Sequence, residues 1–175
     1  MPNFGKNRLA DIIVAIAVVV IAAFLALPSH ENGDNGFSGH DSITGYARVS
    51  DGDTIQINGQ RIRLIDIDAP ELYQFCTLDD ASYPCGEQSK QHLINLINGR
   101  MVSCVSEKRD KFDRFLGRCS VDGIDINQQL VEDGWAVSYY GYQQQENKAR
   151  KQSLGIWAGS FERPRDWRRN HPRRN

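Results

Sequence analysis

VSDGDTIQINGQRIRLIDIDAPE, residues 49–71, decides how this chain folds. Thr54, Ile55, Gln56 and Ile57 alternate as a strand does, Asn58-Gly59 is a two-residue hairpin signal, and the alternation resumes over 61–67. Two paired strands result. The Asp51-Gly52-Asp53 corner enters the first, and Asp68-Ala69-Pro70-Glu71 leaves the second at the end away from the turn. Antiparallel pairing makes those two ends neighbours, so Asp53 and Asp68 can converge on one hard cation, calcium or magnesium. Pro70 ends the strand and restricts Ala69, which sets the direction of the Ala69 carbonyl. Glu71 follows beside the cation, and Arg61 and Arg63 sit on the strand between the acids.

Working outward, residues 43–49 supply a strand before the corner, and 72–85 read as irregular. A helix over 87–98 buries Leu93, Leu96 and Ile97 and stops at Gly99. Residues 101–105 and 115–121 form a second strand pair joined by 108–114. A helix at 126–133 closes at Gly134, and a last helix over 144–154 precedes Trp157. The tail, 163–174, holds six arginines and suits nucleic-acid backbone, anionic lipid or plain solvent, with Trp167 free to dock on the domain.

Upstream, residues 12–27 are sixteen apolar side chains without a polar face. They reach roughly 24 Å as a helix, near the short limit of a membrane span. Lys6 and Arg8 precede them and no small-x-small cleavage site follows, which favours an uncleaved anchor over a removed signal and places the remainder outside the cytoplasm. Residues 28–42 read as a flexible tether, in which His30 and His40 have no assigned role. The organisation expected is therefore 1–28 anchor or signal peptide, 29–44 linker, 45–160 one globular domain and 161–175 basic tail. Lysine plus arginine number 21 and aspartate plus glutamate 22, so no global basic field exists and attraction to phosphate has to be local.

The acids and arginines resemble the thermonuclease, or staphylococcal-nuclease-like, phosphodiesterases. The family pattern is an Asp-Gly-Asp-Thr corner, a strand arginine, an Asp-x-Pro-Glu exit and an Asp-Lys-Tyr-Gly-Arg turn. Here these are residues 51–54, Arg63, 68–71, and Asp110-Lys111-Phe112-Asp113-Arg114. Similarity extends from about Gly45 to Trp157 through Asn127, Tyr140, Tyr142 and Gly155-Ile156-Trp157. It implies an α+β domain built on a five-stranded barrel of the oligonucleotide-binding (OB) fold with about three helices.

It also implies calcium held by Asp53, Asp68 and the Ala69 carbonyl, with Glu71 acting on the attacking water and Arg63 and Arg114 on the phosphate. Lys111, Phe112 and Tyr140 would contact substrate, which is DNA or RNA with single strands preferred. Cleavage of the 5′-oxygen bond would leave 3′-phosphate ends. No protein partner is identifiable, and a monomer is expected. Asp113 stands where the family has glycine. It tolerates a left-handed backbone, but it puts a carboxylate beside Arg114.

The four cysteines suit an oxidising compartment. Cys76 and Cys85 bracket a short loop, and Cys104 and Cys119 fall opposite each other if the strand pair turns around Lys111 and Phe112. Of three possible pairings, only 76–85 with 104–119 closes local loops. A zinc site lacks its close Cys-x-x-Cys spacing, and no histidine joins the acid and arginine set, which argues against histidine-metal nuclease chemistry.

Each residue has an ordinary reading taken singly: Asp-Gly is a common turn, Arg63 and Arg61 are solvated strand residues, and Arg114 pairs with Asp113 or Asp110. Joint spacing favours the enzyme. The competing function is a silent, membrane-tethered oligonucleotide-binding module in which Asp113 neutralises Arg114; behind it stands a disulfide-stapled protein-interaction domain.

Overall fold

The computed structural model describes residues 41–172. The apolar run at 12–27, together with His30 and His40, lies outside the described residues. Among the described residues no helix is long and apolar enough to cross a membrane.

Three strands follow one another as β1 (Asp41–Asp51), β2 (Thr54–Ile57) and β3 (Gln60–Leu64), with Asn58 and Gly59 both at positive φ in the turn between β2 and β3. Such a turn twists in the sense the flanking strands need. Residues 41–42, read from sequence as the end of the tether, are strand as well. A register shift between Val49 and Asp51 bends β1 into the Asp51-Gly52-Asp53 corner.

The alternation over 61–67 does not stay in one strand. β3 ends at Leu64, Asp66 takes a left-handed conformation, and β4 (Ile67–Asp68) pairs with β10 (Val137–Ser138) instead of with β2. Asp68 nevertheless stays within reach of β3, accepting from Arg63 Nη2 at 2.7 Å. Residues 72–85, read as irregular, contain a small hairpin of β5 (Cys76–Leu78) and β6 (Ala81–Tyr83) turning on Asp79 and Asp80, both at positive φ.

After these come α1 (Cys85–Ile97), β7 (Met101–Arg109), β8 (Phe115–Val121) and β9 (Ile124–Asp125). They lead into α2 (Ile126–Glu132), β10, α3 (Gln143–Lys151), a short 3-10 turn at Gly155–Ala158, and α4 (Pro164–Asn170). Strand order is β3-β2-β1-β7-β8-β9, and a parallel β3–β8 pairing closes β1, β2, β3, β7 and β8 into the expected five-stranded barrel. Among the described residues four helices accompany it, where about three were expected. The extra one, α4, lies in the stretch read as a basic tail.

Ile55, Ile57, Ile62, Leu64, Val102 and Val121 are fully buried inside the barrel, with α1 and α2 adding Leu93, Ile97, Ile126 and Leu130. The polar atoms of Asn127 are satisfied inside this core: its amide donates to the carbonyls of Ile65 and Gly117 and its oxygen accepts from Cys119 N–H. Asn127 thus clamps β8 to the segment after β3. Cys76–Cys85 and Cys104–Cys119 are both bonded; Cys104 and Cys119 are direct partners across β7 and β8.

Candidate active site

Asp53 is nearly inaccessible, and its fixed neighbours set its geometry. Its Oδ1 accepts from Arg63 Nη1 at 2.8 Å and from Thr54 Oγ1 at 3.1 Å, while Oδ2 accepts from Ala69 N–H at 3.1 Å. Thr54 and Arg63 are cross-strand partners, which is why Arg63 reaches Asp53. Its other terminal nitrogen, Nη2, donates to Asp68 Oδ1 at 2.7 Å. The two aspartates therefore converge as expected, joined by one guanidinium. Gly52 permits the corner, since a Cβ there would lie 2.3 Å from Ser89 Oγ and 2.7 Å from Ala69 Cβ.

Burial pushes the Asp53 carboxyl up to about 7, although the Arg63 charge pulls the other way; Asp51 and Asp68 reinforce the rise. Ion-pair geometry and burial thus disagree about its charge. Burial prevails, because Arg63 divides its charge between two carboxylates while desolvation acts on Asp53 in full.

Glu71 is placed through its backbone. Its N–H donates to Gln74 Oε1 at 3.2 Å, and its carbonyl accepts Gln74 N–H at 2.8 Å. Gln74 is fully buried and donates from Nε2 to the Glu162 carbonyl at 2.6 Å, which ties this loop to the segment entering α4. A Cβ on Gly86 would fall 1.8 Å from the Glu71 carbonyl oxygen. Only glycine fits beneath Glu71 at the start of α1.

The β7–β8 turn is a local construction. Asp110 Oδ1 accepts the N–H groups of Phe112 and Arg114, and Asp110 Oδ2 accepts Arg114 Nε at 2.9 Å and Nη2 at 2.7 Å. Burial works against the Asp110 charge, but the side-chain and backbone bonds from Arg114, with that from Phe112, hold its pKa below the usual range. Two of the Arg114 donor groups are spent on one carboxylate oxygen, which leaves Nη1 to point elsewhere. Asp113 is left-handed, and its carboxylate pairs with Arg109 at 2.9 Å, not with Arg114. The neutralisation of Arg114 by Asp113, on which the silent-module alternative rested, is absent from this geometry.

Asp51, Asp53, Arg61, Arg63, Glu71, Lys111, Phe112 and Arg114 border one groove of about 660 Å³, whereas Asp68 borders a neighbouring groove that shares Arg63 and Arg168 with it. Phe112 is 61% exposed, with Lys111 Nζ 5.0 Å and the Arg114 guanidinium carbon 5.5 Å from its ring centroid. Tyr140 does not join them. It is 68% exposed, packs edge-on against Tyr139 at 5.1 Å, and does not border the groove. Arg118, the other arginine of that region, pairs with Asp66 and donates to Tyr142 Oη. It serves the barrel rim.

Sequence reasoning missed the residue that touches the acids most. Arg168 on α4 donates to Asp68 through Nη1 at 2.8 Å and Nη2 at 2.9 Å, and from Nη1 to Glu71 Oε1 at 2.8 Å. Trp167 and His171 of the same helix also border the groove. Pro164 at the first helical position, Asp166 in the first turn and Arg168 and Arg169 in the last were the local signals for this helix.

Asp53, Asp68 and Glu71 offer carboxylate oxygens alone, a donor set that suits a hard divalent cation, and two guanidiniums already answer their demand for positive charge. Among the described residues no three His, Cys, Asp or Glu side chains form a closed metal cage. An ion here fits the open type of site, in which one or two carboxylates share it with water and phosphate oxygens.

The family model described as staphylococcal nuclease homologue matches residues 61–159. A succinoglycan biosynthesis protein, ExoI, of Rhizobium meliloti (strain 1021) is 39% identical over 67% of this chain and 65% of its own length. A probable staphylococcal-like nuclease, CAN2, of Oryza sativa subsp. japonica is 29% identical over 97% of this chain and 46% of its own. An uncharacterized endonuclease of Escherichia coli is 34% identical over 63% of this chain and 74% of its own length. The chain thus spans less than two thirds of the first two relatives.

Proposed function

The chain belongs to the staphylococcal nuclease homologue family, and from that membership we propose that it is a phosphodiesterase cleaving DNA and RNA with a bound calcium ion. One observation carries this: Arg63, Glu71 and Arg114, supplied by three separate segments, border one groove together with Asp53, Lys111 and Phe112.

Calcium, when bound by Asp53, Asp68 and the Ala69 carbonyl, supplies charge that offsets a non-bridging phosphate oxygen. Glu71 orients a water and takes its proton as the new oxygen–phosphorus bond forms in line with the bond to the 5′-oxygen. Arg114, steadied by Asp110, presents Nη1 to the phosphate, and Arg63 presents the donors not used on the aspartates. Both stabilise the extra negative charge that develops on the phosphoryl oxygens. The bond to the 5′-oxygen breaks, that oxygen leaves with a proton from solvent, and the phosphate stays on the 3′ end. Single strands are preferred, because the exposed Phe112 ring can stack only on a base that is not paired.

The domain works on the extracytoplasmic side, held by the apolar run at 12–27 or released after its cleavage. Two disulfides support an oxidising compartment.

The test is cleavage of denatured DNA by the full chain in mild detergent, with calcium or with EDTA, beside Glu71→Gln and Arg114→Ala. Calcium-dependent cleavage that each substitution lowers by about 10²-fold or more is expected. A folded, oxidised parent that binds DNA without cutting it overturns the enzyme in favour of a binding module.

A further inference from the structure

Trp167 is an aromatic side chain without a core to serve. Trp135 stacks on His92 and packs against both buried clusters, and Trp157 packs beside Ile156 and Phe161 with the Arg150 guanidinium over its ring. Trp167 belongs to neither cluster. It stands half-buried on α4, stacked on the exposed ring of His171 with centroids 4.5 Å apart and planes 16° from parallel. One helical turn separates the two rings, so their faces meet, and His171 Nδ1 lies 3.0 Å from the Trp167 carbonyl, which fixes the outer ring. Both rings border the groove that holds Asp53, Glu71 and Arg63.

The helix that carries them is anchored from its other end. Pro164 is buried, Arg163 bonds Glu146 at 3.0 Å, and the Glu162 carbonyl accepts from buried Gln74. The Thr77 and Ser160 backbones pair just upstream. Between the rings in sequence, Arg168 sits on Asp68 and Glu71, which pins the aromatic pair next to the acid set. Aromatic faces beside backbone-tracking cations are what a groove needs to hold unpaired nucleotides, since every base has a face to stack and each nucleotide a charge to neutralise.

We propose that Trp167 and His171 form a base-stacking platform for single-stranded nucleic acid, a subsite separate from Phe112 and supplied by the C-terminal helix. The proposal rests on the groove being the nucleic-acid site. It assigns Trp167 and His171 to binding, with no part in the bond-breaking step.

The probe is a short fluorescein-labelled oligothymidylate, and the measurement is fluorescence anisotropy in EDTA with the full chain in detergent. An abasic oligomer of equal length runs in parallel. Trp167→Ala is expected to weaken oligothymidylate binding about ten-fold or more and His171→Ala a few-fold, with abasic binding unchanged and Trp167→Phe largely restoring affinity. In calcium the loss falls on KM rather than kcat. His171 is exposed and terminal to the helix, so its variant folds even if the Trp167 variant does not.

If the parent binds and cleaves, and both alanine variants bind within two-fold of it, the platform alone is overturned. Equal losses on the abasic oligomer overturn it too, since they mark a structural or electrostatic role. A parent that binds but never cleaves, with base-dependent loss in the variants, upholds the platform and overturns the nuclease. A parent that neither binds nor cleaves overturns both.

Discussion

Replacing Arg168 by alanine should tighten calcium binding. In the structure its guanidinium donates twice to Asp68 and once to Glu71, at 2.8 to 2.9 Å, so an ion seeking the same oxygens has to displace it. Exposed ion pairs are worth about 0–1 kcal/mol, whereas a hydrogen bond to a charged group reaches about 1.5–3 kcal/mol. The Arg168 side chain is 38% exposed against 3% for Asp68, which puts the whole set between those limits, at ~1–2 kcal/mol. Removing that competition corresponds to an affinity gain of roughly 5- to 30-fold.

Titration calorimetry of calcium into the EDTA-treated and dialysed full chain reads this directly. Arg165→Ala is the control: it removes the same charge from the same helix, but among the described residues Arg165 donates to Tyr139 Oη at 3.4 Å and to none of the acids. The helix stays docked in both variants through Pro164, Arg163 and the Glu162 carbonyl. An Arg168→Ala affinity no tighter than that of Arg165→Ala refutes the competition, and with it the assignment of Asp68 and Glu71 to the ion's surroundings.

Asp53 predicts a pH effect. Because its folded pKa is raised to about 7 from 3.8, the unfolded chain releases this proton first, so its contribution to stability is present below about pH 4 and lost as pH rises toward 7. In EDTA, Asp53→Asn should gain on the parent as pH climbs through that window, by at most about 4 kcal/mol, and a gap independent of pH in urea melts contradicts the burial account. Gly86→Ala should shift the Glu71 backbone, since its new Cβ meets the Glu71 carbonyl at 1.8 Å. A fall in kcat of about 10²-fold with DNA affinity kept is the expected kinetic signature, and unchanged kcat counts against it. Replacing Cys104 and Cys119 by serine opens a link spanning 15 residues and should cost about 3 kcal/mol, a melting point lower by roughly 10 °C in scanning calorimetry. Loss confined to a degree or two says that β7–β8 pairing holds its register unaided.

What the sequence determined by itself is what depends on neighbours along the chain. Asn58-Gly59 set the hairpin, and the hairpin set Thr54 opposite Arg63; that Arg63 bonds Asp53, beyond the phosphate role the resemblance gave it, came from the structure. The arginine turn was legible through its resemblance to the family's Asp-Lys-Tyr-Gly-Arg pattern, and the structure closes it locally, with Asp110 accepting the N–H groups of Phe112 and Arg114. The Cys104–Cys119 pairing followed from strand register, and Cys76–Cys85 from the short loop they bracket. The hairpin at Asp79 and Asp80 escaped notice because no glycine announces its two left-handed residues.

Only the tertiary structure decided who shares the site. Asp113 and Asp110 were equal candidates for Arg114 by sequence, and backbone direction gave Arg114 to Asp110 and Asp113 to Arg109. Ile67 and Asp68 continue the strand alternation on paper, yet a left-handed Asp66 turns them onto β10. Arg168 lies 100 residues from Asp68, on a seven-residue helix too short to show a periodic apolar face. A basic tail in sequence looks the same whether it is solvated or docked. The difference is made by the buried amide of Gln74, which brings Glu162 beside the Glu71 loop and thereby sets α4 over the acids. No local pattern encodes that bond, because its strength comes from the water excluded around it once the barrel has closed.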